Sequence, residues 1–249
     1  MSRSDPTDDE HRLDRHDQPA DHQHPYDIPY HWAMGRFYQD VVHIAAERVA
    51  PMLRGRSVLE MGCGDGYMTA QIARHASSVF GFDLNERAIA FAKMIVREPN
   101  VSFGVGRAED LDELAAGMQE PPDVVASFEV VEHLSTEERD AFLDAARRIL
   151  RSRGGSLVLT TPNGSRRRGH PINPHHEHEF TPQELRDLLG INGFVDVRIQ
   201  GLYLQPPWPH RLEHVADTVP FRAGFRRLAR SGAHRPERCR TLICVSRAG

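Results

Sequence analysis

Cysteine is scarce in this chain, with Cys63, Cys239 and Cys244 the only three in 249 residues. So few thiols exclude a disulfide framework. The opening MSRSDPTDDEHRLDR has no apolar stretch of the kind a secretory leader needs, so a cytoplasmic location is expected. Long apolar runs are missing as well, and nothing approaches the roughly 18 residues of a membrane span. Excess positive charge is also absent. The formal net charge is −4, which lacks the global positive potential of a protein that grips long nucleic acid. No internal repeat is visible.

What is present is an ordinary globular composition, 39% hydrophobic and 27% charged, in a chain long enough to bury one α/β core. Residues 1–25 stand apart, with seven acids, three arginines, four histidines and almost no large apolar side chain. They cannot bury enough surface to offset the entropy of ordering, so they are expected to be a disordered acidic, His-rich tail. Its scattered histidines are expected to be solvated. Residues 26–249 are then one domain. Val41, Ile44, Ala45, Val49 and Met52 recur at helical spacing and predict a helix ahead of the sheet. Seven short apolar runs follow: SVLEMG, VFGFD, VSFGVG, DVVASF, SLVLTT, VDVRIQ and TLICVS, mostly separated by amphipathic stretches. That alternation predicts a mostly parallel seven-stranded sheet with helices on both faces. Ser135 with Glu138, and Thr181 with Pro182 and Glu184, are capping patterns that open two of the helices. Residues 206–240 interrupt the last pair of strands and carry eight arginines against three acids. This stretch is expected to be an insertion or lid, with Trp208, Pro209, Phe221 and Phe225 as its apolar contacts.

The sharpest local pattern is Glu60-Met-Gly62-Cys-Gly64-Asp-Gly66, between the strand SVL and a helix beginning near Tyr67. Glycines there let the chain turn from strand to helix and let a ligand lie against the backbone. A second strand ends at Asp83, 23 residues after Glu60, near the spacing at which an acid meets a ribose diol.

With these motifs in this order, residues 55–200 resemble the class I S-adenosylmethionine-dependent methyltransferases, which have a Rossmann-like fold. The resemblance implies a cofactor site. Glu60 would lie near the methionine part of S-adenosylmethionine, with Gly62, Gly64 and Gly66 forming the loop. Asp83 would hold the ribose hydroxyls with Leu84 beside it, Ala108, Glu109 and Asp110 would border the adenine, and Phe128 would flank the site.

Farther on, Glu129, Glu132 and His133 are spaced to share one face if the chain makes a helical turn. The run His175-His176-Glu177-His178-Glu179-Phe180 brings more imidazoles. Two carboxylates with imidazoles suit Mg²⁺ or Mn²⁺, which would lower the pKa of a substrate hydroxyl. Without metal, His133 or a loop histidine would serve as general base. The plain alternative is solvated or arginine-paired carboxylates and a packed imidazole.

Two acceptor families stay open. TTPNG and then HPINPHHEHEFTPQELRDLLGINGFVDVRIQGLYLQPP resemble actinobacterial sugar, glycolipid and natural-product O-methyltransferases. The Glu-x-x-Glu-His run and the later His-x-Glu-His-x-Phe run partly resemble the metal motifs of the small-RNA 3′-terminal 2′-O-methyltransferases. That resemblance implies Glu129, Glu132, His133 and His178 as metal ligands, with Glu132, His133 and His178 as catalytic groups. The chain departs from the RNA family after Phe180, where Thr181-Pro182 starts a helix at once. In favour of RNA stand Arg166 to Arg168 and the arginine-rich 206–240 stretch. A non-catalytic, cofactor-binding partner subunit is the third alternative. The reading adopted is an O-methyltransferase acting on a small-molecule or glycan acceptor.

Overall fold

The computed structural model describes residues 35–166, 175–204 and 233–249. The 1–25 tail, Arg167 and Arg168, and the proposed lid as far as residue 232 lie outside the described residues.

The chain alternates helices and strands. It begins with α1 (Gly35–Leu53), β1 (Ser57–Met61), α2 (Tyr67–Ala73), β2 (Ser78–Asp83), α3 (Glu86–Ile95) and β3 (Val101–Val105). A 3₁₀ turn (Ala108–Asp110) then leads into α4 (Leu111–Ala116), β4 (Val124–Phe128), α5 (Thr136–Arg151) and β5 (Ser156–Pro162). The remainder is α6 (Pro182–Ile191), β6 (Phe194–Leu204) and β7 (Cys239–Ala248). The seven strands form one sheet in the order β3-β2-β1-β4-β5-β7-β6. All neighbours are parallel except β7, which runs antiparallel to both β5 and β6.

The apolar runs become central strands because both faces of the sheet are covered. On one face, Leu59, Phe82, Val125, Leu157 and Leu159 pack against Phe142, Leu143, Leu185 and Leu189 of α5 and α6. On the other, Val58, Val79, Val124 and Val158 pack against Val42, Val49, Leu53 and Ile72 of α1 and α2. Strands β1, β4 and β5 are buried almost throughout, whereas β3, at one edge, alternates half-buried and exposed positions.

Both capping patterns form. Ser135 Oγ accepts from Glu138 N–H at 3.2 Å while Glu138 accepts from Ser135 N–H at 2.9 Å, and Thr181 and Glu184 repeat the arrangement at α6. These reciprocal bonds satisfy amide groups that the helix leaves open. The segment expected to be a lid ends sooner than 240, because Cys239 and Arg240 already belong to β7. Strand β6 is also longer than VDVRIQ and reaches Leu204. None of the described helices is long and apolar enough to cross a membrane.

Strand order reverses between β1 and β4, since β2 lies on one side of β1 and β5 lies beyond β4. In open α/β sheets the crevice outside the carboxyl ends of the strands at such a point takes the ligand. Glu60, the glycine loop, Asp83 and Glu129 all stand at that edge.

Candidate active site

The glycine loop is shaped by three left-handed residues, Gly62 (φ 72°), Gly64 (φ 54°) and Gly66 (φ 77°). At Gly62 the restriction is doubled, because a Cβ would come within 2.4 Å of Val130 Cγ2. The loop therefore rests on the turn that follows β4. A Cβ on Gly64, by contrast, would meet nothing within 4 Å, so the main chain there faces open space where a ligand can lie against it. The loop is pinned to β2 by Gly62 and Cys63 N–H groups, both donating to the Phe82 carbonyl at 2.8 and 3.0 Å.

Asp83 completes that arrangement. Its two carboxylate oxygens accept from Gly64 N–H and Asn85 N–H, each at 2.9 Å, and burial raises its pKa. Each oxygen keeps a second lone pair for a hydroxyl. Leu84, next along, is 57% exposed at this rim. On the neighbouring strand end, Ala108 and Asp110 are half-buried and Glu109 is exposed. Asp110 accepts from Arg107 N–H at 2.8 Å, and Glu109 pairs with the Arg107 side chain at 3.4 Å. These two acids therefore shape the turn. Phe128 sits half-buried at the end of β4.

Glu60 is different in kind. It is only 1% exposed, and one oxygen, Oε2, has no protein partner. Burial pushes its pKa up to about 7; Thr69 beside it favours the charged form, and Asp83 opposes it. The Thr69 hydroxyl faces the carboxyl without completing a well-formed hydrogen bond.

On the acceptor side the segment after β4 is a turn rather than a helix. Glu129 itself adopts a left-handed backbone (φ 56°), held by its N–H donating to the Thr160 carbonyl at 3.0 Å and to Thr160 Oγ1 at 3.1 Å. His133 N–H closes the turn on the Val130 carbonyl at 2.8 Å. Glu132 is buried and accepts from Thr161 Oγ1 at 3.0 Å. Its pKa is pushed well up by burial and by the Glu129 carboxylate. Burial also lifts Glu129 to about 7, against the opposing pull of Thr160, His176 and Arg240.

The histidine loop is laid over this turn by two backbone bonds, from Glu177 and His178 N–H to the Glu132 carbonyl at 2.8 and 3.2 Å. Their register decides which imidazole faces inward. His176 does so, with its ring edge-on to His133 at 4.7 Å between centroids. His133 Nδ1 donates to the His175 carbonyl at 2.9 Å, and His176 Nδ1 meets the Glu179 carboxylate at 2.8 Å. With Nδ1 committed on both rings, the lone pairs sit on Nε2. One ligand atom each from Glu132, His133 and His176 lies within 4.8 Å of the others.

His178, the position implied by the RNA-family motif, points elsewhere. Its ring meets Phe180 edge-on at 4.6 Å between centroids and faces Glu184 at 3.7 Å, with the side chain 47% exposed. It is not part of the group formed by Glu132, His133 and His176. Alternating His and Glu in the loop gave no basis for choosing between His176 and His178; the Glu132 carbonyl makes that choice. Thr160, Thr161 and Glu179, which orient the carboxylates and the ring, carried no signal of their own.

The residues present suit both the cofactor and a cation. The glycine cradle, open at Gly64 and bounded by Asp83, suits S-adenosylmethionine. Glu129 Oε1, buried and without a protein partner, adjoins a carboxylate–imidazole set suited to a divalent cation.

The chain is similar to known methyltransferases. Residues 58–154 match a family model described as a methyltransferase domain. A probable S-adenosylmethionine-dependent methyltransferase of Mycobacterium tuberculosis is 38% identical over 166 residues, which are 66% of this chain and 57% of the relative. The chain thus spans a little over half the length of that relative. A ubiquinone biosynthesis O-methyltransferase of Cereibacter sphaeroides is 31% identical over 172 residues, covering 63% of this chain and 68% of that protein. In fold, the chain resembles a member of the complex between the Haloferax volcanii Trm112 methyltransferase activator and a methyltransferase. There the TM-score is 0.62 and the identity 20%, over 87% of this chain and 92% of the other. The glycine loop above the buried Glu60, the acid Asp83 that closes β2 and these relatives together show that the chain belongs to the class I S-adenosylmethionine-dependent methyltransferases.

Proposed function

We propose that this chain is an O-methyltransferase acting on a hydroxyl of a sugar, glycolipid or natural-product small molecule, assisted by a divalent cation such as Mg²⁺ or Mn²⁺. Glu132, His133 and His176 would hold the cation, with Glu129 alongside. The observation that carries this reading is the position of their cluster. It hangs from the turn whose Val130 touches Gly62, so it directly adjoins the cofactor loop. The two relatives support it from outside: one is named for O-methylation and the other for dependence on S-adenosylmethionine.

When bound, the cofactor supplies an electrophilic methyl on its sulfonium and the cation supplies a Lewis acid that lowers the pKa of a coordinated hydroxyl. The chain's own residues supply geometry and proton handling. The loop backbone from Gly62 to Gly66 and the Asp83 carboxylate bind and orient. Thr161 holds Glu132, the His175 carbonyl fixes the His133 ring, and Glu179 fixes the His176 ring. If no cation is bound, Nε2 of either imidazole would instead be the candidate to accept the hydroxyl proton, directly or through one water.

The deciding experiment is transfer of labelled methyl from S-adenosylmethionine to a panel of sugars and glycosides and to short RNA duplexes, with EDTA and then with Mn²⁺ or Mg²⁺ restored. Label in the sugar panel that EDTA removes and metal restores is the expected result. Label confined to RNA 3′ ends would replace the acceptor class. Cofactor binding without transfer to any acceptor would favour a subunit that needs a partner.

A further inference from the structure

We propose that Glu60 makes the cofactor site discriminate by charge, favouring the sulfonium donor over the demethylated product through a buried, incompletely paired carboxylate beneath the glycine loop. This inference concerns the donor alone and stands whatever the acceptor proves to be.

Donor and product share the same amino-acid and nucleoside parts. They differ by one methyl group and one positive charge at sulfur, so a residue that separates them must sense that charge or that methyl. Glu60 is built for the first. It is the second-last residue of β1, directly before the loop, is 1% exposed, and has an oxygen with no protein partner. The groups that face it bring no positive charge. From α2 comes the neutral Thr69 hydroxyl and from β2 the Asp83 carboxylate. In the loop, the Cys63 thiol is pushed up by burial and then by Glu60, Asp83 and Asp65. From β4, the residue in register with Glu60 is Ala126. A carboxylate in such surroundings is costly and gains from any cation brought near.

The oxygen has almost no accessible surface, so contact with the ligand is not the mechanism. Its field acts across the loop, where low polarisability lets a charge be felt over several ångströms. Asp83 is the instructive contrast: both its oxygens already accept backbone N–H groups, and it stands half-exposed at the rim. Asp83 anchors hydroxyls, and Glu60 reads charge.

The pH dependence follows from Glu60 titrating near 7 in the free protein. Below that value the carboxyl is neutral and senses little. Above it the carboxylate favours the sulfonium. Between about pH 5.5 and 7, donor binding therefore draws a proton off Glu60, whereas product binding draws off less. The α-amino group that also titrates is common to both ligands and cancels in the comparison.

The test is calorimetric titration of the intact chain, without acceptor, by S-adenosylmethionine, S-adenosylhomocysteine and sinefungin, an analogue with an amine near the sulfonium position. Titrations run at about pH 5.5 and about pH 8.5, in buffers of differing ionisation enthalpy. The affinity ratio of donor to product is expected to rise about three- to tenfold across that range, with sinefungin following the donor. Glu60→Gln is expected to flatten the rise. A pH-independent ratio in the wild type overturns the proposal, and so does an unchanged rise in folded Glu60→Gln. If that variant does not fold, the wild-type ratio and its proton release decide alone.

Discussion

The two halves of the carboxyl edge are built from different materials. The cofactor half is made of backbone: three left-handed glycines, main-chain N–H groups on Asp83, and a loop pinned to the Phe82 carbonyl. The half we propose for the acceptor is made of side chains, with Glu132, His133 and His176 gathered from a turn and a loop and oriented by Thr161, His175 and Glu179. A backbone site is broken by adding atoms. A side-chain site is broken by removing them.

The largest effect is therefore expected at Gly62. Gly62→Val adds atoms within reach of Val130 at a left-handed position and should cost about 2–5 kcal/mol, combining backbone strain with overpacking. Thermal unfolding and titration with S-adenosylhomocysteine should show the loss of both stability and binding. On the other half, Glu132→Gln and His176→Ala should lower turnover about 100-fold while leaving product affinity within about twofold. Glu179→Gln, one step removed, should lower it about tenfold by releasing the His176 ring. If these variants weakened cofactor binding as much as turnover, the division between the halves would fail.

Stability against pH sharpens the same contrast. Glu129 is raised by burial from an ordinary value of 4.5 to about 7, so the metal-free folded state holds its proton more tightly than the unfolded chain. Its contribution is unharmed below about pH 4.5 and is lost progressively as pH rises through about 7. Metal-free protein should melt lower at pH 8 than at pH 5.5. Glu129→Gln should recover on the order of 1–2 kcal/mol at pH 8 and little at pH 5.5, as denaturant titrations at the two pH values would show. Ser135→Ala, which removes the cap of α5, should cost about 1 kcal/mol of stability, as thermal unfolding would show.

The backbone half was legible in the sequence because its chemistry depends on spacing along the chain. The run from Glu60 to Gly66 and the position of Asp83 read directly as a loop and a strand end, and the alternation of apolar runs predicted all seven strands. The antiparallel pairing of β7 with β6 forms although residues 205–238 separate the two strands. The side-chain half was legible only in composition. Glu129, Glu132 and His133 were recognisable as a group, but the left-handed backbone at Glu129 depends on Thr160, 31 residues away. The inward histidine depends on two amide bonds to the Glu132 carbonyl. Neither contact leaves a mark at the positions it decides, so the sequence alone gives no reason to prefer His176 to His178. Asp110 and Glu109 were read as an adenine border, and Asp110 also closes its own turn on Arg107.

The most direct test of the account is calorimetric titration of Mn²⁺ into the S-adenosylhomocysteine complex of wild-type protein, His176→Ala and His178→Ala. The cluster geometry predicts stoichiometric binding that His176→Ala abolishes and His178→Ala leaves intact. Binding lost in His178→Ala and kept in His176→Ala, or no Mn²⁺ binding by the wild type, would contradict it.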